Sequence, residues 1–183
     1  MPELTPICAL GGTAPQSRRI GALTLTENAG LGLASLALRR GATAPDLGLL
    51  SLPGPGGWAA GKGISAFWTG PDQWMVEFPG RADQDVAALI CDSGLSVTEQ
   101  TDGFVAFEIE GPAPALVALL EKLVNLDAGR FAPGSATRTG LHHMSVFVIR
   151  RAETRLTVLG MRTAAGTIWH ALVEAAQRQE VTT

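Results

Sequence analysis

Glu108 and Glu110 stand two residues apart in Phe104–Glu110, where Val105, Phe107 and Ile109 alternate with them. On a strand this spacing puts both carboxylates on one face, and such a pair could divide the roles of general acid and general base. The alternation also turns that face away from the apolar side, so a solvated, outward pair is expected. Two glycine-rich stretches approach phosphate-binding motifs. Gly30-Leu31-Gly32-Leu33-Ala34-Ser35 comes near GxGxxG, but Ser35 replaces the last glycine and Asp46 follows too early to meet a ribose. Gly56 to Gly63 carries the glycines and Lys62 of a P-loop, yet Gly63 stands where a magnesium-binding hydroxyl is required. The chain after it reads as a strand, not as a helix whose N-terminus would hold phosphate. A flexible connector is the expectation there.

His142 and His143 are adjacent in Leu141–Arg150, an apolar run read as a central strand. Their rings should point to opposite faces and cannot share one metal ion. His170 lies beside Trp169 in an expected helix, and no spacing suggests a third ligand. Cys8 and Cys91 are the only cysteines and form no CxxC, so reduced thiols are expected. There is no GxSxG. No residue is therefore assigned a catalytic, cofactor-binding or metal-binding role.

The composition agrees with a folded chain that lacks an obvious charged partner. Of 183 residues, 46% are hydrophobic and 17% charged, enough for a substantial core. Fourteen basic and seventeen acidic residues are interspersed, with a net charge of −3 and no basic stripe for nucleic acid. MPELTPICALGG has no basic n-region, and no apolar run approaches the ~18 residues of a membrane span. A soluble, cytoplasmic protein is expected.

The elements that must position these residues follow from periodicity and turn chemistry. Residues 1–22 read as an extended arm, and 23–183 as one α+β domain or two fused subdomains, with a Gly/Pro-rich connector at 41–63. Leu23 to Thr26 alternates as a strand. Leu31, Leu33, Leu36 and Leu38, followed by Arg39-Arg40-Gly41, suggest a helix and its C-terminus despite Gly32. Ile64, Ala66 and Trp68, then Trp74, Val76 and Phe78, make two strands about the Gly70-Pro71-Asp72 turn. Arg81–Asp92 reads as a helix and Leu95–Gln100 as a strand. Thr101-Asp102-Gly103 reads as a hairpin turn into Phe104–Glu110.

Pro112 and Pro114 suit a helix start, and Leu116, Leu119, Leu120, Leu123 and Val124 form one apolar stripe after them. Gly129–Gly140 reads as a loop, and Arg155–Gly160 as the hairpin partner of Leu141–Arg150. Thr163 is the expected cap of a last helix that buries Ile168, Leu172, Val173 and Ala176, with Glu174 and Arg178 paired on it. From Trp74 to Ile149 the order is strand, helix, strand, strand, helix, strand. The expected fold is therefore α+β, a ferredoxin-like antiparallel sheet with helices on one face, extended by flanking strand–helix elements.

Several blocks resemble the gamma subunit of heterotetrameric sarcosine oxidase. They are Ala34-Ser35-Leu36-Ala37-Leu38-Arg39-Arg40-Gly41, Trp68-Thr69-Gly70-Pro71-Asp72-Gln73-Trp74, Ile109-Glu110-Gly111-Pro112, Arg138-Thr139-Gly140-Leu141-His142-His143 and Ile168-Trp169-His170-Ala171-Leu172. They run in the family's order over nearly the whole chain, and the Trp-x-Gly-Pro-Asp-x-Trp block is the most specific. The resemblance implies a fold similar to the folate-binding region of the glycine-cleavage T-protein. It also implies alpha, beta and delta partner subunits and a complex that demethylates sarcosine to glycine. FAD, FMN, NAD and zinc would belong to the other subunits, and folate to the complex.

The expected role is then a non-catalytic structural or assembly subunit. The alternative is a stand-alone folate-binding or one-carbon-transfer protein of the T-protein type. The related K-G-C-Y-x-G-Q-E motif is absent. Candidate partner contacts are Trp58, Trp68, Asp72, Trp74, Arg138, His142 and His143, with an exposed apolar patch expected around the tryptophans.

Overall fold

A computed structural model of the chain describes residues 6–42, 47, 50–91 and 94–180. The first five residues of the expected arm, positions 43–46 (with Pro45 and Asp46) and 48–49 of the connector, and Asp92 lie outside the described residues. Eleven strands among those described form two antiparallel sheets. One contains β1 (Ser17–Ile20), β2 (Leu23–Asn28), β8 (Phe104–Glu110), β9 (Ser135–Leu141), β10 (Met144–Ala152) and β11 (Arg155–Met161), in the order β1-β2-β8-β11-β10-β9. The other contains β3 (Leu31–Leu38), β4 (Trp58–Ala60), β5 (Ser65–Gly70), β6 (Gln73–Pro79) and β7 (Leu95–Glu99), in the order β4-β5-β6-β3-β7. Helices α1 (Ala113–Leu123) and α2 (Ala165–Glu180) cover one face of the six-stranded sheet.

Alternation decides which core each strand feeds. Leu23 and Leu25 of β2 and Val105, Phe107 and Ile109 of β8 face the helices, where Leu116, Leu119 and Leu120 of α1 and Ile168 and Leu172 of α2 meet them. The opposite face of that sheet presents Ala106, Ile149 and Leu159 to Leu31, Leu33, Phe67 and Met75 of the second sheet. The far side of the second sheet buries Ala34, Leu36, Ala66, Trp74, Val76 and Phe78 under Leu50 of the connector and Val86. The layers are thus helices, six strands, five strands and a cover of irregular chain. The α+β class and the helices on one face are as expected. The strand order read as one ferredoxin-like sheet is divided between two sheets.

Several local expectations change. Leu31–Leu38 is a strand, because Leu31 and Leu33 feed the core between the sheets while Ala34 and Leu36 feed the outer core. A strand buried on both faces shows no polar alternation to distinguish it from an apolar helix. Among the described residues of 81–92 there is only a 3-10 turn, at Ala87–Leu89, in place of the expected helix. There the Asp85 carboxylate accepts from the Ala88 N–H at 3.2 Å, and Glu99 accepts from the Ala87 N–H at 3.1 Å. These side chains satisfy the backbone locally and compete with a helix. Thr101–Gly103 is a 3-10 turn that carries the chain from one sheet to the other, not a hairpin.

Gly129–Gly140, read as a loop, supplies most of β9, and the arm contains β1, paired with β2. Thr163 lies in a 3-10 turn before α2 and does not cap it. The expected Glu174–Arg178 pair is present on α2.

Gly32 has a packing role that replaces the phosphate-binding one. A Cβ there would lie 2.8 Å from Val86 Cγ1 and 2.9 Å from the Arg81 carbonyl oxygen. The 81–86 segment therefore crosses the sheet against bare backbone, and no helix follows the glycines. Gly32→Ala is expected to cost about 1–3 kcal/mol by overpacking, read as a lower urea midpoint. An unchanged midpoint would show that this segment is not seated on β3.

Candidate functional site

The polar centre of the molecule lies between the two sheets. On β6, Met75 and Glu77 face the six-stranded sheet, while Trp74, Val76 and Phe78 face away from it. On β10 the register shifts between Arg150 and Ala152, a bulge that leaves Arg151 outside the β11 ladder. Glu108 and Thr157 are paired across β8 and β11, and they share the face of Ala106 and Leu159. Four strands thus converge one glutamate, one arginine, one threonine and a second glutamate.

Their geometry is that of a clamp. The Arg151 guanidinium donates to both Glu77 oxygens, Nη1 to Oε2 at 2.9 Å and Nη2 to Oε1 at 2.7 Å. Glu77 Oε2 also accepts from Ser65 Oγ at 2.7 Å and Trp58 Nε1 at 3.0 Å. Arg151 Nε donates to Thr157 Oγ1 at 2.6 Å, and that hydroxyl donates to Glu108 Oε2 at 2.7 Å. Asn28 Nδ2 donates to the other Glu108 oxygen at 3.3 Å. The Trp58 ring lies beneath the guanidinium, 5.2 Å from its centroid to Cζ.

Glu77 is fully buried, and the Arg151 and Glu108 side chains are only 11% and 15% exposed. Burial by itself would raise the Glu77 pKa. The two bonds and the charge of Arg151, with Ser65 and Trp58, outweigh it and hold the carboxyl below its ordinary range. Burial likewise opposes the Arg151 charge, but Glu77, and more weakly Glu108, push its pKa up.

A cavity of about 330 Å³ opens beside this clamp, lined by Asn28, Trp58, Ser65, Glu108, Arg151 and Arg155 among others. Arg155 Nε pairs with Glu110 at 3.3 Å, at the half-exposed end of the same strands. The expectation of an outward, solvated Glu108 is therefore corrected. Facing away from the helices means facing the second sheet, so Glu108 is only 15% exposed while Glu110 is 59% exposed. A proton-transfer pair needs a group poised near neutral pH. Here both clamp partners are driven toward their charged forms, which suits fixed recognition or support of the two sheets.

A second hollow of about 300 Å³ lies under the N-terminal segment. Its polar groups anchor that segment. Glu27 accepts from the Leu10 and Gln16 N–H groups at 3.1 and 3.2 Å, and Arg162 donates to the Ile7 carbonyl at 2.7 Å.

The sequence candidates fall into three places. Trp58 belongs to the clamp. Trp68, Asp72 and Trp74 lie on the β5–β6 hairpin, whose exposed tip holds Asp72 at φ 55°. Trp74 is only 8% exposed, and its Nε1 donates to the Pro53 carbonyl at 2.8 Å. Trp68 is half-buried against the same core. The apolar patch expected around Trp74 is thus closed over by the connector.

Arg138, His142 and His143 are exposed together on the β9–β10 hairpin. The two histidines form its turn, with His142 at φ 51°, and are not in a strand as expected. Leu141 pairs with Met144, so two residues must close the connection. Among the described residues no three metal-ligating side chains cluster, and Cys8 and Cys91 are free thiols. Glu77, Arg151 and Thr157 were not candidates. Each occupies the position that alternation assigns to the outside of its own strand.

Among the described residues no helix is long and apolar enough to cross a membrane. No protein-family model matches the chain, and no curated protein sequence does. Solved structures do. A chain of the heterotetrameric sarcosine oxidase from Corynebacterium sp. U-96, in complex with pyrrole 2-carboxylate, aligns with a TM-score of 0.71 and 23% identity over 88% of this chain and 87% of that one. The glycine cleavage system aminomethyltransferase T from Bartonella henselae aligns with a TM-score of 0.56 and 13% identity over 82% of this chain. The match spans about half of that enzyme, 48% of its length. The chain has the α+β fold, with antiparallel sheets and helices, that these two proteins share, as the resemblance in its sequence implied.

Proposed function

We infer that this chain is a non-catalytic structural or assembly subunit of a heterotetrameric sarcosine oxidase. The observation that carries the reading is the mutual coverage of the oxidase match, 88% of one chain and 87% of the other. Each chain is covered almost completely by the other, so the resemblance is not confined to one segment of either. The aminomethyltransferase match takes only part of a larger chain.

The interior chemistry supports the same reading. A stand-alone folate-binding protein needs a buried carboxylate free to hold a pterin ring. Both oxygens of Glu77 are taken by Arg151, Ser65 and Trp58, and both oxygens of Glu108 by Asn28 and Thr157. These two carboxylates are thus committed to their neighbours. On this reading the partners are alpha, beta and delta subunits, which hold FAD, FMN, NAD and zinc.

Co-expression with alpha, beta and delta chains tests it. The expected result is one complex on size exclusion, with sarcosine oxidation retained when Glu108→Gln is introduced in this chain. A chain that stays out of the complex and saturates tightly with tetrahydrofolate would replace this reading with that of a one-carbon-transfer protein.

A further inference from the structure

The outer edge of β9 is a sheet edge left half finished. Leu141 pairs with Met144 across the two-residue turn, and the register runs without a shift back to Ser135. Backbone groups therefore alternate between β10 and the outside along the whole strand. Ala136 fixes the phase, since its N–H points outward and donates to the Gly56 carbonyl at 2.8 Å. Next to it the Gly134 carbonyl accepts from the Trp58 N–H at 2.7 Å. This outer ladder begins with Gly56–Trp58 and then stops, because β4 turns away to pair with β5. By alternation the N–H and C=O groups of Arg138 and Gly140 also point outward, and among the described residues nothing bonds them.

Exposed edges normally carry a device against pairing, such as a proline, a bulge or a charge projecting along the edge. β1 is short and carries Arg18 and Arg19. The open half of β9, Thr137–Leu141, has no proline and no bulge. Its one charge is drawn onto the face of the sheet, where Arg138 Nε donates to Ser145 Oγ at 2.7 Å and Cζ sits 6.0 Å from the Phe147 ring centroid. The rim around the edge carries one cation and two histidines in a chain of net charge −3. Arg138, His142 and His143 line the shallow surface there with Thr139, Gly140, Met144 and Ser145, and no acidic residue joins them.

We propose that the open edge of β9 receives an extended, acidic segment of a larger partner chain, which adds a strand beside Arg138–Gly140. Main-chain bonds to Arg138 and Gly140 supply the register, and the basic rim selects an acidic strand over a basic one. The identity of the partner rests on the subunit reading above, but the edge and its charge do not.

Amide exchange on the full chain and on the assembled oxidase complex, with edge variants, tests the proposal. In the free chain the Arg138 and Gly140 amides exchange quickly, and in the complex they slow by about a hundredfold or more. Gly140→Pro removes one outward N–H at an edge position that tolerates proline, and it weakens association by about tenfold or more. Gly140→Ala, whose Cβ meets nothing within 4 Å, stays within about twofold. Arg138→Glu keeps the backbone, reverses the rim charge, and also weakens association. Assembly with both amides still exchanging freely would overturn the edge proposal and leave the subunit reading intact.

A chain that never assembles would defeat the subunit reading, and a pair of synthetic peptides then decides the edge. A Val/Glu-alternating peptide should protect the two amides, while its Val/Lys counterpart binds at least about tenfold more weakly. Equal binding of the two peptides, or no protection by either, would sink the proposal. So would protection arising from self-association of this chain.

Discussion

Arg151→Met is expected to lower the stability of the chain by about 3–5 kcal/mol, with a matching fall in the urea midpoint. The substitution keeps most of the side chain's apolar length but leaves Glu77 fully buried with no cation. Ser65 and Trp58 still donate to one oxygen, yet the other loses its partner at 2.7 Å. Thr157 loses the donor at 2.6 Å and keeps only its bond to Glu108. Breaking a buried pair from one side is costly because the remaining charge is uncompensated. The double variant Glu77→Gln, Arg151→Met removes both charges and leaves a carbonyl for Ser65 and Trp58, so it should recover more than half of the loss. Glu108→Gln is milder, about 0.5–1.5 kcal/mol, because the amide oxygen still accepts from one of its two donors, Asn28 or Thr157, and the Glu77–Arg151 pair is left intact. A single Arg151→Met change that costs under about 1 kcal/mol would show that the clamp does not hold the sheets together.

This clamp was the least legible part of the sequence, while much around it could be read directly. β2, β8, α1 and α2 each bury one face and leave the other less buried, so their periods of two and of about 3.6 stand out. Leu31–Leu38 lacked that contrast because both of its faces are covered. β9 was hidden for the opposite reason: an edge strand spelled Ser-Ala-Thr-Arg-Thr-Gly-Leu buries only Ala136 and Leu141 fully. The partition into two sheets was also silent. Asp102-Gly103 has the chemistry of a hairpin turn, but β7 pairs with β3, and β8 pairs with β2 and β11.

Once a second sheet exists, the outside of one strand becomes the inside of the sandwich. Glu77, Glu108 and Thr157 are polar at such positions, which reads as solvent exposure for a lone sheet and as a buried network for two. The basic residues of the β9–β10 hairpin were visible as a block, Arg138 to His143. Their meaning depended on an unpaired backbone edge that side-chain patterns do not report.

Acid should release the clamp in a defined window. The folded-state Glu77 carboxyl lies below its ordinary value of 4.5 because Arg151, Ser65 and Trp58 outweigh burial. The unfolded chain therefore binds a proton at higher pH than the folded chain does. The stabilisation is complete above about pH 4.5 and is lost as pH falls through the lower folded value. Glu99 contributes with the same sign. Its slight burial raises its pKa, but bonds from the Thr101 hydroxyl and from the Ala87 and Thr101 N–H groups hold it down. Its largely exposed position keeps that share small.

Arg151 stays charged throughout this range, so protonating Glu77 has the same consequence as replacing it with a neutral amide. Unfolding free energies of the wild type and of Glu77→Gln should differ by about 3–5 kcal/mol at neutral pH, as for a buried pair broken from one side. They should converge as pH falls below about 4.5 and through the lower folded value, with the wild type losing stability more steeply on the way. Parallel curves over that range would mean that Glu77 titrates as an ordinary carboxylate, and the clamp would then lose its standing as the electrostatic link between the sheets. Converging curves with Glu99→Gln nearly superimposed on the wild type would place the acid sensitivity at the Glu77–Arg151 pair.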